Sequence, residues 1–250
     1  MSLLTEKLRV FHRIAAGGNV HILALGSSNT EHFMVGAHWF DYVQLGFMHK
    51  FRRWDHETSH VDNPALCLNA GTSNNTTGEL LARFDRDVAP FRPDLIILTA
   101  GINDANPARQ VPLDKFRANL IELRERTNAL GGDILFQTYY SCDMERLAVN
   151  HPDWAVNYIP YMQIVRETAG EYLNDNFIRW ERLRRYDVTA FRLLMRDDLH
   201  LNPVGNAVVG LDLIRALDLT LPEENLPWIR DGVFARLTMD ILETKEKMEK

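Results

Sequence analysis

The sequence predicts an α/β protein built on a central, mostly parallel sheet of five strands. Short β-like apolar runs alternate along it with longer stretches of helical period, the order produced when crossover helices join parallel strands. Three of those apolar runs end in clusters of small polar residues, at the strand ends where open parallel sheets gather their ligands. With 250 residues, 46% apolar and 25% charged, the chain has the length and composition to close a single domain around a sizeable core.

The expected strands are "NVHILALG" (19–26), "ALCLNA" (65–70), "DLIILTA" (94–100), "DILFQT" (133–138) and a weaker "FIRW" (177–180). Between them, residues 38–54 carry Phe40, Val43, Phe47 and Phe51 on one helical stripe, and residues 76–88 begin with a Thr and Glu79 suited to an N-terminal cap. Residues 112–132 open with Pro112, align Phe116, Leu120 and Leu123, and stop at Gly131 and Gly132, the usual asymmetry of a helix. The stretch 139–163 reads as a long, aromatic, irregular connection. The N-terminal "MSLLTEKLRVFHRI" intersperses charges among its apolar positions and reads as a short amphipathic helix over 3–15, not a signal peptide. From about residue 225 to 250 an amphipathic extension spaces Ile229, Val233, Leu237 and Ile241 four apart, fit to dock on the body or on a second subunit of a homo-oligomer.

Composition excludes several classes. A net charge of −6 and a pI near 5.8 argue against nucleic-acid binding, which needs clustered Lys and Arg. The Arg-rich 179–185 alternates with apolar residues and reads as the solvated face of a helix. No stretch is apolar enough to span a membrane. Cys67 and Cys142 form no C-x-x-C pair and read as reduced thiols of a cytoplasmic protein, packed as small apolar residues.

The strand ends carry chemistry. Ser28, in "GSSNT" after the first strand, is a hydroxyl presented on a turn, and serine needs a base to act as a nucleophile. His200 in "RDDLHLNPVGN" supplies one, and Asp197, three residues earlier, reaches its far nitrogen to fix the tautomer and stabilise the imidazolium. An oxyanion needs neutral donors, available from Asn103 of "AGINDA" and from backbone N–H groups near Ser28 and Asn74.

With these residues in hand, the chain resembles the SGNH (GDSL-type) esterase and lipase family over about residues 19–217. "GSSNT" is similar to the family's G-D-S block, "NAGTSNNTT" to N-x-x-x-S-G-x-T, "GIND" to G-x-N-D and "DDLH" to D-x-x-H. Two positions depart: Ser27 stands where the family has Asp, and Asn74 where it has the oxyanion-hole glycine, a position used through its backbone N–H. The resemblance implies a three-layer α/β/α sandwich of flavodoxin-like order, a Ser28–His200–Asp197 triad, an oxyanion hole of Ser28, Asn74 and Asn103, a small-molecule ester as substrate, and no metal or organic cofactor. Tyr139, Tyr140, Trp154 and Tyr158 are expected to wall the substrate pocket, and the absence of a large apolar lid points to short acyl groups, such as acetyl on a carbohydrate.

Three rival readings have sequence support. "HETSH" (56–60) satisfies H-E-x-x-H, with Glu79 as a third ligand, which would make a zinc hydrolase if the segment were helical. "GTSNN" (71–75) echoes a nucleophile elbow without its final glycine, leaving Ser73 a structural residue. The fold could also persist as a catalytically silent binding module. Neither G-x-G-x-x-G nor a P-loop occurs, so nucleotide binding has no motif behind it.

Overall fold

The computed structural model describes residues 3–35, 38–221, 238, 239 and 241. Its strands are β1 (Val20–Gly26), β2 (Arg53–Asp55), β3 (His60–Asp62), β4 (Ala65–Gly71), β5 (Leu95–Thr99), β6 (Asp133–Gln137) and β7 (Leu173–Asn174). Its helices are α1 (Leu3–Lys7), α2 (Arg9–Ala15), α3 (Trp39–Phe51), α4 (Thr77–Ala82), α5 (Phe84–Asp87), α6 (Leu113–Ala129), α7 (Met144–Asn150), α8 (Pro152–Ala169), α9 (Asn176–Tyr186), α10 (Val188–Arg192) and α11 (Pro203–Ala216).

Five strands form one parallel sheet in the order β4-β1-β5-β6-β7. Strands β5 and β6 are buried on both faces, and so is most of β1, which is why they read as near-continuous apolar runs. The order reverses at β1. The chain first steps outward to β4 through α3, then returns across β1 to β5, β6 and β7 through α4, α6 and α8. Right-handed crossovers running in opposite directions put their helices on opposite faces, which makes three layers. Accordingly α3 packs on α11 in one layer, while α6 packs on α4 and α8 in the other. The crevice for a ligand lies at the carboxyl end of β1, where the order turns.

Four sequence expectations need correction. The fifth strand is Leu173–Asn174, not 177–180; Asp175 caps a helix there by accepting from Ile178 N, and Phe177, Trp180 and Leu183 turn inward at helical spacing. Residues 139–163 are mostly helical. Asp143 caps α7 and Pro152 opens α8, while Pro160 is tolerated inside α8 because the carbonyl it leaves unbonded belongs to exposed Val156. The helix expected over 76–88 breaks at Arg83 into α4 and α5, with the Thr76–Glu79 capping box in place. The N-terminal helix breaks at Leu8 into α1 and α2. Most of the extension from 225 to 250, with the oligomer contact expected of it, lies outside the described residues; within it Thr238 and Met239 are buried and Ile241 is exposed.

Among the described residues no helix is long and apolar enough to cross a membrane. Cys142 is buried and Cys67 half-buried, both unpaired, and burial pushes each thiol up to about 12.

Candidate active site

The turn after β1 is shaped by what cannot fit in it. A Cβ on Gly26 would fall 2.3 Å from Thr30 Oγ1 and 2.6 Å from the Thr99 carbonyl, so the strand must end in glycine. The N–H groups of Thr30 and Glu31 both bond to the Ser27 carbonyl at 2.9 Å, closing the turn. The two serines then diverge. Ser27 faces the core and shares a 2.5 Å hydrogen bond with the Tyr139 hydroxyl, whose pKa burial pushes up, so the pair is neutral. Ser28 faces His200. Where the resembling family has Asp, a buried Ser–Tyr pair braces this turn. From the other side, His38 Nε2 (3.1 Å) and Trp39 Nε1 (2.8 Å) donate to the Asn29 carbonyl.

His200 precedes α11, in a loop tied down on several sides. Asn202 caps α11 by accepting from Gly205 N at 3.0 Å, and Arg196 N donates to the His200 carbonyl at 2.8 Å. The Leu199 carbonyl accepts from the Tyr140 hydroxyl and from Asn29 Nδ2 (3.3 Å), joining this loop directly to the Ser28 turn. His200 Nδ1 lies 2.9 Å from both carboxylate oxygens of Asp197, and His200 Nε2 lies 2.9 Å from Ser28 Oγ. Partial burial pushes the Asp197 carboxyl up, but the bonds from the His200 ring and from the Leu199 and His200 amides outweigh it and hold the group well below the usual carboxylate range. A charged Asp197 accepts a hydrogen bond from Nδ1–H, which fixes the proton on Nδ1 and leaves Nε2 to accept from the Ser28 hydroxyl.

The third and fourth groups stand at the ends of the strands flanking β1. Asn74 follows β4 at φ +62°, a left-handed conformation that asparagine tolerates better than most residues. Asn103 follows β5, buried, and donates one Nδ2 hydrogen to the Asn75 carbonyl at 2.9 Å, leaving its second for a ligand. Beneath it, buried Asp104 accepts from Thr77 N and from Thr77 Oγ1 at 2.6 Å, fastening the β5 end to α4; burial pushes its carboxyl up, against these bonds.

The aromatic expectation changes. Tyr139, Tyr140 and Tyr158 are fully or almost fully buried and present no wall to a substrate. They are supports: Tyr139 bonds Ser27, Tyr140 bonds Leu199, and the Tyr158 hydroxyl donates to the Tyr140 carbonyl at 2.7 Å. Their large apolar bodies and polar tips suit the floor beneath the loops. Trp154 is half-buried, and its Nε1 donates to the Ile102 carbonyl at 2.7 Å, beside Asn103. The zinc reading fails on geometry. "HETSH" forms the turn of the β2–β3 hairpin and the first residue of β3, so His56 and His60 do not share a helical face, and Glu79 is engaged with Thr76 and Arg109. Ser73 Oγ donates to the Glu31 carboxylate. Sequence reasoning missed Arg83, Asn75 and His38. The available signal for Arg83 was a charge on the buried stripe of Thr77, Leu80 and Phe84.

Residues 24–208 match the family model described as the GDSL-like lipase/acylhydrolase family, and that span covers the site from the β1 end through His200. The chain belongs to the GDSL-like lipase/acylhydrolase family. A curated relative that it matches is an isoamyl acetate-hydrolyzing esterase 1 homolog of Mus musculus, 26% identical over 142 residues. That match takes in 52% of this chain and 55% of the relative, so the chain spans little more than half the relative's length. Among solved structures, the fold is similar to an acetyl xylan esterase (TM-score 0.64, 21% identity, 79% of this chain and 100% of that one). It is similar too to an acetylxylan esterase from Geobacillus stearothermophilus (0.63, 20%, 83% and 99%). A lipase/acylhydrolase from Enterococcus faecalis has a TM-score of 0.61 at 18% identity, over 82% and 100% of the two chains. As a GDSL-like fold, the three-layer α/β/α sandwich expected from the sequence is the one observed.

Proposed function

We propose that this GDSL-like protein is a serine esterase that hydrolyses short-chain carboxylic esters through an acyl-enzyme. The observation that carries the reading is the unbroken chain from Ser28 Oγ to His200 Nε2 (2.9 Å) and from His200 Nδ1 to Asp197 (2.9 Å). As the Ser28 oxygen bonds to the ester carbonyl carbon, its proton passes to His200 Nε2, and Asp197 stabilises the imidazolium without taking the proton. The carbonyl oxygen becomes an oxyanion, met by the free Nδ2 hydrogen of Asn103 and by backbone N–H groups of Ser28 and Asn74. The intermediate collapses, the alcohol leaves with the proton from His200, and the acyl group stays on Ser28. Water then attacks the acyl carbon and gives a proton to His200; the bond from that carbon to the Ser28 oxygen breaks, His200 passes the proton to the Ser28 oxygen, and the acid is released.

The acyl group we propose is acetyl. The relatives' printed names support it: isoamyl acetate and acetylxylan share an acetyl group and differ in the alcohol. Structures of the Geobacillus stearothermophilus esterase include variants called catalytic mutants in which a serine and an aspartate are replaced by alanine, the residue types assigned here to Ser28 and Asp197. A panel of 4-nitrophenyl esters from acetate to decanoate, with fluorophosphonate labelling, tests the reading. The expected result is turnover highest on acetate, and labelling that Ser28→Ala abolishes. A folded protein inert to both ester and fluorophosphonate would instead be the silent binding member of the fold.

A further inference from the structure

We propose that Arg83 is a positioning residue for the oxyanion-binding half of this site, holding the ends of β1 and β4 in register with Asn103 through Asn75. The inference rests on the esterase reading and deepens it. Arg83 is 8% exposed, at the break between α4 and α5, and its guanidinium converges on the loops that carry the candidate active site. Nη2 donates to the Gly26 carbonyl (3.2 Å), two residues before Ser28, and to the Ala70 carbonyl (2.7 Å) near the end of β4. Nε donates to Asn75 Oδ1 (2.7 Å), and the Asn75 carbonyl in turn accepts from Asn103 Nδ2 (2.9 Å). Nη1 pairs with Asp87 at 3.0 Å, so the buried cation is not left uncompensated.

This arrangement differs from a cation that merely neutralises a carboxylate. Its remaining donors run to the strand ends on either side of the turn and, through Asn75, to the amide proposed to meet the oxyanion. A planar fork of fixed N–H directions can satisfy an acceptor on each at once, whereas the ammonium of a lysine is a point charge on a flexible stem. Oxyanion donors are effective only where the oxygen will be in the transition state. Arg83 therefore acts on the rate of acyl transfer through the placement of Asn103 and the Asn74 segment, and has little to do with ground-state binding of a short ester.

The test compares Arg83→Lys, which keeps the charge, with Asn75→Ala, which removes only the relay and is the safer variant for folding. On 4-nitrophenyl acetate, both are expected to lower kcat by about 10- to 100-fold with KM within about twofold, the loss typical of a misplaced catalytic group. Each is also expected to slow fluorophosphonate labelling, and combining them should cost less than the product of the separate losses. Folded variants that retain wild-type kcat, even with a lower melting temperature, would overturn the proposal. If the unsubstituted protein turns over no ester, the esterase reading has failed on its own, and the Asn103 side-chain amide resonances in ¹⁵N-labelled protein decide the rest. Resonances that move in both variants keep Arg83 as the positioner of Asn103, and resonances that stay put remove it.

Discussion

At the scale of single residues, the site turns on which neighbours each polar atom has. Two adjacent serines differ in environment because one hydroxyl is used up by a buried tyrosine and the other meets an imidazole. Asn103 is expected to contribute to turnover and little to stability: Asn103→Ala should slow kcat by about 10²–10³ while the protein stays folded, since one oxyanion donor has that worth. Equal steady-state rates for the two proteins would remove Asn103 from the mechanism. Asp197→Asn should cost more, roughly 10³–10⁴ in kcat, because an amide facing Nδ1 favours the tautomer that blocks Nε2 from accepting the Ser28 proton. Circular dichroism on the same samples separates this from unfolding. These residues were readable in the sequence because each sits beside a turn signal or cap: "GSS" ends a strand, "GIND" follows one, and "DDLH" runs into the Asn202–Pro203 start of α11. Arg83 offered only its place on a buried stripe and Asn75 no signal, since their roles rest on bonds to segments distant in the chain, Arg83 to the Gly26 carbonyl and Asn75 from Asn103.

At the scale of elements, α3 shows how a helix end serves a loop. His38 caps it by accepting from Phe40 N at 3.1 Å through Nδ1, while Nε2 donates to the Asn29 carbonyl in the Ser28 turn, so the ring works only as the neutral Nε2–H form. Burial lowers its pKa from the ordinary 6.5 to about 4, the bond to Asn29 and the charge of Asp41 opposing. On acidification the unfolded chain therefore takes up this proton first. Stability from His38 is complete above about pH 6.5, falls as the pH drops towards about 4, and changes no further below that, a total of roughly 3 kcal/mol. Urea midpoints of the wild type should thus decline more steeply between pH 6.5 and 4 than those of His38→Asn, which keeps a capping side chain without the titration; parallel slopes would contradict the assignment. The α7–α8 pair serves the loops in a similar way, with Asn150 Nδ2 on Asp198 (2.5 Å) and Trp154 on Ile102. Trp154→Phe should lose about 1 kcal/mol in thermal unfolding through the orphaned Ile102 carbonyl, and Val156→Ala, on the exposed side of α8, close to none. Elements with full periodicity, such as α3 and α6, were legible in the sequence. Strand β7 was not, because two residues carry no alternation to read, and α8 was hidden by an internal proline, tolerated there because the carbonyl it leaves unbonded belongs to an exposed residue, Val156.

At the scale of the whole molecule, the candidate site and the N-terminal anchoring occupy opposite ends of the sheet. Ser28, Asn74 and Asn103 follow the carboxyl ends of β1, β4 and β5, and at the amino ends α1 and α2 close the bottom. There Arg9 holds Asp133, the first residue of β6, through its backbone N–H (2.6 Å) and its Nε (2.7 Å), and Arg13 holds Asp94, just ahead of β5, at 2.6 Å. Leu8, Val10 and Ile14 from this segment lie inside the core cluster, although the family match begins only at residue 24. A parallel sheet separates its two ends by the length of its strands, so damage at the amino end should lower the stability of the whole domain without moving the groups proposed to meet an ester. Leu8→Ala leaves a cavity where a fully buried side chain stood and should lose about 2–5 kcal/mol. Its melting temperature is expected to fall well below the wild type's, while kcat and KM on 4-nitrophenyl acetate, measured at a temperature where both proteins are folded, agree within about twofold, since catalysis depends on positions that this cavity does not touch. Loss of kcat in folded Leu8→Ala protein would mean that the sheet transmits packing changes from one end to the other, and that the independence argued from its topology is wrong.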